Sequence, residues 1–244
     1  MPTAQTADTP TRAVRAEGQS LWLDYIRRSL MESGQLQRLV DEDALRGLTS
    51  NPAIFEKAIG GSSEYDDAIT AFLTEDPSMD AATIYERLAV EDIRRAADTL
   101  RPVYEETGVD GVVSLEVSPH LAHDTEGTIE EARRLWDAVG RPNLMIKVPA
   151  TEEGIPAIEQ LLSEGINVNV TLMFSLGHYE KVAQAYLRGL RRADDPSGIV
   201  SVASFFVSRV AREVDTRLDE RGLTDAVDFD GIDVAIANAR MAYR

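Results

Sequence analysis

Six short and nearly continuous apolar runs constrain the fold of this chain more than any other feature. They read SLWLDYI, RGLTSNPAIF, GVVSLEVSP, NLMIKVPA, INVNVTLMFS and IVSVASFFVSRV. A strand that is covered on both faces has this composition, and strands of this kind form parallel sheets. The runs therefore predict six strands of a parallel sheet.

Longer amphipathic stretches separate the runs and predict helices. Apolar residues recur every three to four positions over 83–106, and 152–164 and 177–192 continue the series. Thr128 to Glu131 has the pattern of a capping box at a helix start. Four glycines are expected near helix ends: Gly108, Gly140, Gly165 and Gly189. Alternating strands and helices with short loops predict an α/β fold, either a (β/α) barrel or a doubly wound sheet.

The first 18 residues differ from the rest because they are polar, aperiodic and contain two prolines. They predict a mobile N-terminal tail over 1–18, which leaves 19–244 as one barrel domain.

Charge and composition exclude several classes of function. The chain has 42 acidic and 25 basic residues and therefore a net charge of −17. This negative charge argues against binding to nucleic acid or to an anionic membrane. No run approaches about 18 apolar residues and the N-terminus has no signal-like segment, so we expect a cytoplasmic protein. With no cysteine and three histidines, we expect no metal site and no disulfide.

Four of the apolar runs carry a polar residue in their carboxyl-terminal halves: Asp24, Glu116, Lys147 and Thr171. A charge in a buried strand is costly unless it is paired or functional. The carboxyl ends of barrel strands are also where active sites lie. The pattern predicts a lysine amine beside two carboxylates and a hydroxyl.

Lys147 is one of only three lysines in the chain and stands between Ile146 and Val148. Removal from water favours the neutral amine, which is a nucleophile and forms a Schiff base with a carbonyl compound. The alternative is a strand-end lysine that reaches water. Asp24 and Glu116 are candidates for the acid and base of such chemistry, or for ion pairs with arginines.

Other polar residues follow the same strands. Asn51 precedes Pro52 and is therefore held extended, which suits the binding of a polyol, or marks an ordinary Asn-Pro turn. Asn169 shares a strand face with Thr171, and Ser204 shares one with Phe206. Arg209 lies just beyond the sixth run, where its planar fork suits a phosphate, or where it belongs to a solvated helix.

The strings GQSLWLDYIRRSL, GLTSNPAIFEKAI, VSLEVSP, LMIKVPAT, INVNVTLMFS and SFFVSR resemble the motifs of the transaldolase family, in family order. The resemblance runs from about Gly18 to Arg244. It implies that Lys147 forms the Schiff base, that Asp24 is the acid/base for the sugar hydroxyl, and that Glu116 and Thr171 hold the catalytic water. It implies a sugar site and a phosphate-binding arginine at these residues: Thr49, Asn51, Asn169, Ser204 and Arg209.

The family transfers a dihydroxyacetone unit from a ketose phosphate, such as sedoheptulose 7-phosphate or fructose 6-phosphate, to an aldose phosphate. It belongs to the pentose phosphate pathway and needs no metal or organic cofactor. The similar fructose-6-phosphate aldolases carry a tyrosine near Phe206. Because phenylalanine has no hydroxyl to assist water, the resemblance favours transfer over release of free dihydroxyacetone.

The spacing of the polar landmarks departs from a complete barrel. Asp24 and Ser204 are 180 residues apart, or 36 residues per interval between successive landmarks, and 40 residues follow Ser204. Eight β/α units at this spacing need about 72 residues after that point. We therefore expect about six of the eight units of a (β/α)8 TIM-barrel type, with two helices after the last strand. An inactive or unstable fragment and an aldolase remain alternatives, and the oligomeric state, a homo-oligomer included, stays open.

Overall fold

The computed structural model of the protein describes residues 9–244. Its strands are β1 Leu21–Asp24, β2 Leu45–Thr49, β3 Val112–Glu116, β4 Leu144–Pro149, β5 Val168–Met173 and β6 Ser201–Phe205. Its helices are α1 Pro10–Ala16, α2 Arg28–Glu32, α3 Gln35–Glu42, α4 Pro52–Gly60, α5 Asp66–Glu75, α6 Ala81–Thr107, α7 Thr125–Val139, α8 Gly154–Ser163, α9 Leu176–Arg192, α10 Ser208–Glu220 and α11 Gly231–Tyr243. Short 3-10 turns occupy Pro119–Leu121 and Pro196–Gly198. None of the helices in the described part of the chain is long and apolar enough to span a membrane.

The six strands follow one another across the sheet in the order in which they occur along the chain. The strand pairs β1–β2, β2–β3 and β5–β6 are all parallel. A doubly wound sheet reverses its strand order at a switch point, whereas a barrel winds in one direction. The predicted α/β fold of the (β/α)-barrel type, with six strands among the described residues, is therefore confirmed.

The chain divides into two compact units. Unit 1 comprises the chain up to Pro119 together with Glu131–Ile146. It contains β1 to β3, and its long helix α6 packs on β3. The apolar stripe of this helix is buried as the spacing predicts, at Leu88, Ile93, Ala96, Ala97, Leu100 and Val103.

Unit 2 comprises His120–Glu130 and Lys147–Arg244. Helices α8 and α9 pack closely here, and Gly189 lies at their contact. A Cβ atom on Gly189 would stand 2.8 Å from both the Glu159 carbonyl oxygen and the Leu162 Cβ atom. Gly189 lies three positions before the end of α9 at Arg192, near a helix end as predicted, but it provides space against α8 instead of a left-handed cap. Three glycines do follow helices with positive φ, as predicted: Gly108, Gly140 and Gly165.

Two helix starts differ from the prediction for the same reason, an N-terminal cap that was not recognised. Strand β2 ends at Thr49, within the Thr49 to Pro52 segment that is predicted to end it, but Pro52 also begins α4, because proline suits the first turn of a helix. The capping box at Thr128 predicts a helix start there, yet α7 begins at Thr125. The Asp124 carboxylate accepts the Gly127 N–H at 3.0 Å and supplies the cap.

The predicted tail over 1–18 falls partly outside the described residues, which exclude 1–8. Its remainder contains helix α1, which the sequence analysis did not predict. Arg12 donates hydrogen bonds to the main-chain carbonyls of Asp41 and Glu42, the latter at 2.7 Å, and Thr11 donates to Asp43. These bonds connect α1 to the end of α3.

Candidate functional site

In unit 1 the predicted carboxylates stand at the last residues of their strands. Asp24 ends β1 and is paired in register with Thr49, which ends β2, and Thr49 is paired with Ser114 of β3. Glu116 ends β3, two residues beyond Ser114. Because the strands are parallel, all three ends lie at one edge of this part of the sheet. Asp24 is exposed, so the premise of a buried charge at this position was wrong.

The β2–α4 connection presents two of the predicted sugar-binding residues. The Thr49 hydroxyl oxygen is buried and has no hydrogen-bond partner in the described chain. Asn51 accepts the Ile54 N–H through Oδ1 at 3.0 Å and caps α4. Its side-chain amide nitrogen takes no part in that bond and remains a donor group. The turn prediction and the binding prediction for Asn51 are therefore compatible.

Glu86, Glu116 and Glu131 form an acidic cluster near Tyr85 that no sequence pattern predicts. Burial, with the negative charges of Glu116, Glu131 and Glu86, raises the pKa of Tyr85 to about 12. Burial also raises the pKa of Glu131, although its carboxylate accepts the Ser118 N–H at 3.3 Å. No spacing in the sequence connects these residues, since they come from β3, α6 and α7.

In unit 2, Lys147 is the only buried lysine of the three. It is 6% exposed, and every residue of β4 is buried. Lys57 and Lys181 are exposed, and the Lys181 ammonium pairs with the Glu152 carboxylate at 2.8 Å. Of the two alternatives for Lys147, this burial supports removal from water over a strand-end lysine that reaches solvent.

Strand β5 contributes two further buried polar residues, Asn169 and Thr171, each 1% exposed. The Asn169 Oδ1 atom accepts the hydroxyl proton of Ser204 at 2.8 Å. Thr171 is followed by Leu172, whose φ of 62° is left-handed and strained for a leucine. The strand bulges here, because the register passes from Val170 opposite Ala203 to Met173 opposite Phe205.

Phe206 directly follows β6, and Arg209 lies in the first turn of α10. The Phe206 ring lies 5.2 Å from the Phe174 ring, and the Arg209 guanidinium stacks over Phe206 at 4.7 Å. Within residues 9–244 this guanidinium forms no ion pair. Stacking uses the face of the guanidinium and leaves its N–H edge for an anion.

Known proteins that are similar to this chain agree on one family. The family described as transaldolase/fructose-6-phosphate aldolase matches residues 21–244. A transaldolase of Trichodesmium erythraeum is 48% identical over 239 residues, which cover 93% of this chain and 62% of that protein. A transaldolase of Saccharopolyspora erythraea is 48% identical over 242 residues, covering 98% of this chain and 64% of that protein. A transaldolase of Mycobacterium bovis is 47% identical over 244 residues, which cover 98% of this chain and 65% of that protein.

The chain thus spans 62–65% of the length of these curated relatives. The family match extends over nearly all of the described chain and includes every predicted site residue. The chain belongs to the transaldolase/fructose-6-phosphate aldolase family.

Proposed function

We propose that this protein is a transaldolase, which transfers a dihydroxyacetone unit from a ketose phosphate to an aldose phosphate through a Schiff base on Lys147. The observation that carries the proposal is the burial of Lys147 within β4, in a member of a family whose relatives are named transaldolases. A lysine amine that is held within a strand is placed to attack a carbonyl carbon and form a Schiff base.

In the proposed reaction, the Lys147 Nζ atom attacks the ketone carbon of the sugar. The carbonyl oxygen leaves as water, and an iminium ion remains. The Asp24 carboxylate then takes the proton of the C4 hydroxyl, and the C3–C4 bond breaks with its electron pair passing to the iminium group. An aldose phosphate departs, and an enamine of dihydroxyacetone stays on Lys147.

The second half of the reaction reverses these steps with a new aldehyde. The enamine carbon attacks the aldehyde carbon of the acceptor, and Asp24 returns its proton to the new hydroxyl. Water, held by Glu116 and Thr171, hydrolyses the iminium ion and releases the product ketose.

Substrate recognition is proposed for the remaining predicted residues. The hydroxyl groups of Thr49 and Ser204 and the side-chain amides of Asn51 and Asn169 supply donors and acceptors for a sugar. Arg209 binds the phosphate group. Phe206 offers a ring face but no hydroxyl to activate water, which supports transfer over the release of free dihydroxyacetone. Sugar phosphates are therefore the proposed partners, and we propose a cytoplasmic location for this reaction.

Trapping of the Schiff base tests the proposal directly. The protein is incubated with fructose 6-phosphate, reduced with borohydride, digested and mapped by mass spectrometry. We expect the added mass on the peptide that contains Lys147 and its loss in Lys147→Ala. Lys181→Ala is the matched control, because Lys181 is exposed, and should label normally. Labelling at Lys57 or Lys181, or at no lysine, contradicts the proposal.

Product analysis separates transfer from the alternatives. With sedoheptulose 7-phosphate as donor and glyceraldehyde 3-phosphate as acceptor, we expect fructose 6-phosphate as the new ketose phosphate and very little free dihydroxyacetone. Release of dihydroxyacetone in the absence of an acceptor would identify an aldolase. A chain that is labelled at Lys147 but makes no product would instead identify an inactive form.

A further inference from the structure

A buried polar network in unit 1 lies outside the residues considered so far. It consists of Arg28 in α2, Tyr65 before α5 and Asp92 in α6, and Tyr65 and Asp92 are fully buried. The Asp92 carboxylate accepts from Arg28 Nε at 3.0 Å through one oxygen and from the Tyr65 hydroxyl at 2.8 Å through the other. The Tyr65 oxygen in turn accepts the Arg28 main-chain N–H at 3.0 Å.

Stability alone is a weak reason for such a network. Buried ion pairs lose much of their attraction to desolvation, and well-packed apolar residues often replace them without loss. What a network of this kind does provide is a single defined geometry, because all its members must be satisfied together. Its value therefore depends on what it holds in place.

The network holds the segment that follows β1. Arg27 forms an ion pair with Glu64, and the Ser29 N–H donates to the Glu64 carboxylate at 3.0 Å. Arg28 bonds to Tyr65, as described above. Arg27, Arg28 and Ser29 are therefore all attached to Glu64 or Tyr65. Arg28 also stacks on the Tyr65 ring at 4.9 Å.

Asp24 lies shortly before this attachment in the chain. It ends β1, which among the described residues is the first strand in the sheet order and pairs with β2. Only two residues, Tyr25 and Ile26, separate Asp24 from Arg27, so the attachment limits where the carboxyl end of β1 can move. Strand pairing constrains Asp24 from one side and the network constrains the chain that follows it.

We propose that Tyr65 and Asp92, through Arg28, are positioning residues that orient the Asp24 carboxylate for proton transfer in carbon–carbon bond cleavage. This inference rests on the proposed function, in which Asp24 takes the proton of the C4 hydroxyl. Displacement of a reacting group by about 1 Å can cost about 10²-fold in rate, so a shift of Asp24 on loss of one network bond is measurable as a lower rate of cleavage.

Tyr65→Phe tests the inference, because it removes one hydroxyl and keeps the ring. Two steps are measured separately: borohydride trapping of fructose 6-phosphate on Lys147, and the single-turnover rate of cleavage. Trapping needs no proton transfer by Asp24, so we expect it to be unchanged, while cleavage falls by about 10- to 100-fold. Tyr104→Phe, in the same long helix as Asp92, is the matched control and should leave both steps unchanged.

A double-mutant cycle distinguishes positioning from a general loss of structure. In an Asp24→Asn background, Tyr65→Phe should have no further effect on cleavage, because the group that it positions is already gone. Glu64→Gln provides a second variant at a half-buried site, should Tyr65→Phe not fold. It keeps an acceptor for Ser29 and weakens the pair with Arg27, and we expect the same pattern with a smaller decrease in cleavage.

The outcomes separate the two proposals. Unchanged cleavage in the folded Tyr65→Phe and Glu64→Gln variants, or an equal loss of cleavage with and without Asp24, overturns the positioning inference and leaves the transaldolase proposal intact. Absence of trapping in the unmodified protein overturns the transaldolase proposal, and the inference that rests on it.

Discussion

The two carboxylates of the proposed site in unit 1 and its strand residues in unit 2 occupy opposite environments. In unit 2, Lys147, Asn169 and Thr171 lie inside strands and are almost completely buried. In unit 1, Asp24 is exposed and Glu116 is half-buried, each at the last residue of its strand. The difference matches the chemistry that is proposed for each set. An amine is nucleophilic when it is kept from water, whereas a carboxylate that exchanges protons must meet substrate or water.

This contrast predicts different costs of mutation. Substitution of a buried strand residue alters packing as well as reaction, whereas substitution of an exposed carboxylate should affect the reaction alone. Four substitutions test the contrast, in order of decreasing effect.

Lys147→Met should give the largest effect. Without the amine no Schiff base forms, and we expect turnover to fall by about 10⁴-fold or more. Methionine is an apolar residue of similar length, so the melting temperature should be equal or higher. A coupled transaldolase assay and a thermal melt measure the two quantities, with Lys181→Met as the control. Substantial residual turnover would show that the reaction does not pass through Lys147.

Asp24→Asn should reduce kcat by about 10²- to 10⁴-fold, the usual contribution of a general acid or base. Since the side chain is exposed, the free energy of unfolding should change by less than about 0.5 kcal/mol. The control is Asp228→Asn, at an exposed loop position. If Asp24→Asn lowered the free energy of unfolding clearly as well as kcat, this carboxylate would be structural. The contrast between the units would then disappear.

Ser204→Ala should affect stability as well as binding. It removes the donor to Asn169 Oδ1 and leaves that buried acceptor without this bond. We expect a loss of about 1–3 kcal/mol in the free energy of unfolding, measured with urea, and a raised KM for the ketose phosphate. Ser208→Ala, at an exposed residue of α10, should change neither quantity. An unaltered urea midpoint in Ser204→Ala would remove the case for a stabilising bond here.

Glu131→Gln should have the smallest effect, and only on the pH dependence of stability. Burial raises the pKa of Glu131 above its ordinary value of 4.5, so the folded state binds the proton more tightly than the unfolded state. Its contribution to stability is complete at pH values below the unfolded pKa and is lost as pH rises through the folded pKa.

Urea unfolding is measured from below the unfolded pKa of Glu131 to above its folded pKa. Over these pH values the free energy of unfolding of Glu131→Gln should decrease less with rising pH than that of the parent protein. The neighbouring exposed Glu130→Gln is the control and should behave like the parent. Identical pH profiles for both variants would contradict the assignment of this effect to Glu131.

The strands could be predicted from the sequence because burial on both faces leaves a continuous apolar run. The same rule identified Lys147 and Thr171, whose polarity interrupts such runs. It placed the exposed Asp24 at a strand end but misjudged its surroundings, because exposure depends on neighbouring segments. Pro52 and Asp124 show a second limit, since helix starts depend on caps that a run of apolar residues conceals.

The network of Arg28, Tyr65 and Asp92 was beyond sequence analysis for a different reason. Arg28 and Asp92 are 64 residues apart, and no local pattern pairs them. One signal was present: Asp92 lies four residues from both Leu88 and Ala96, within the apolar stripe of α6. A charge at such a position indicates a buried partner, but only the fold identifies which one.

The bulge at Leu172 has a consequence for how this chain tolerates changes of length. Between its pairings with Ala203 and Phe205, β5 uses three steps where β6 uses two. The Met173 carbonyl nevertheless accepts the Phe206 N–H at 2.9 Å, so the two strands end in alignment. Deleting Leu172 would remove the strained residue and still allow those ends to meet. We therefore expect a one-residue deletion to be tolerated at this position, while the alternation of side chains up to Thr171 is preserved.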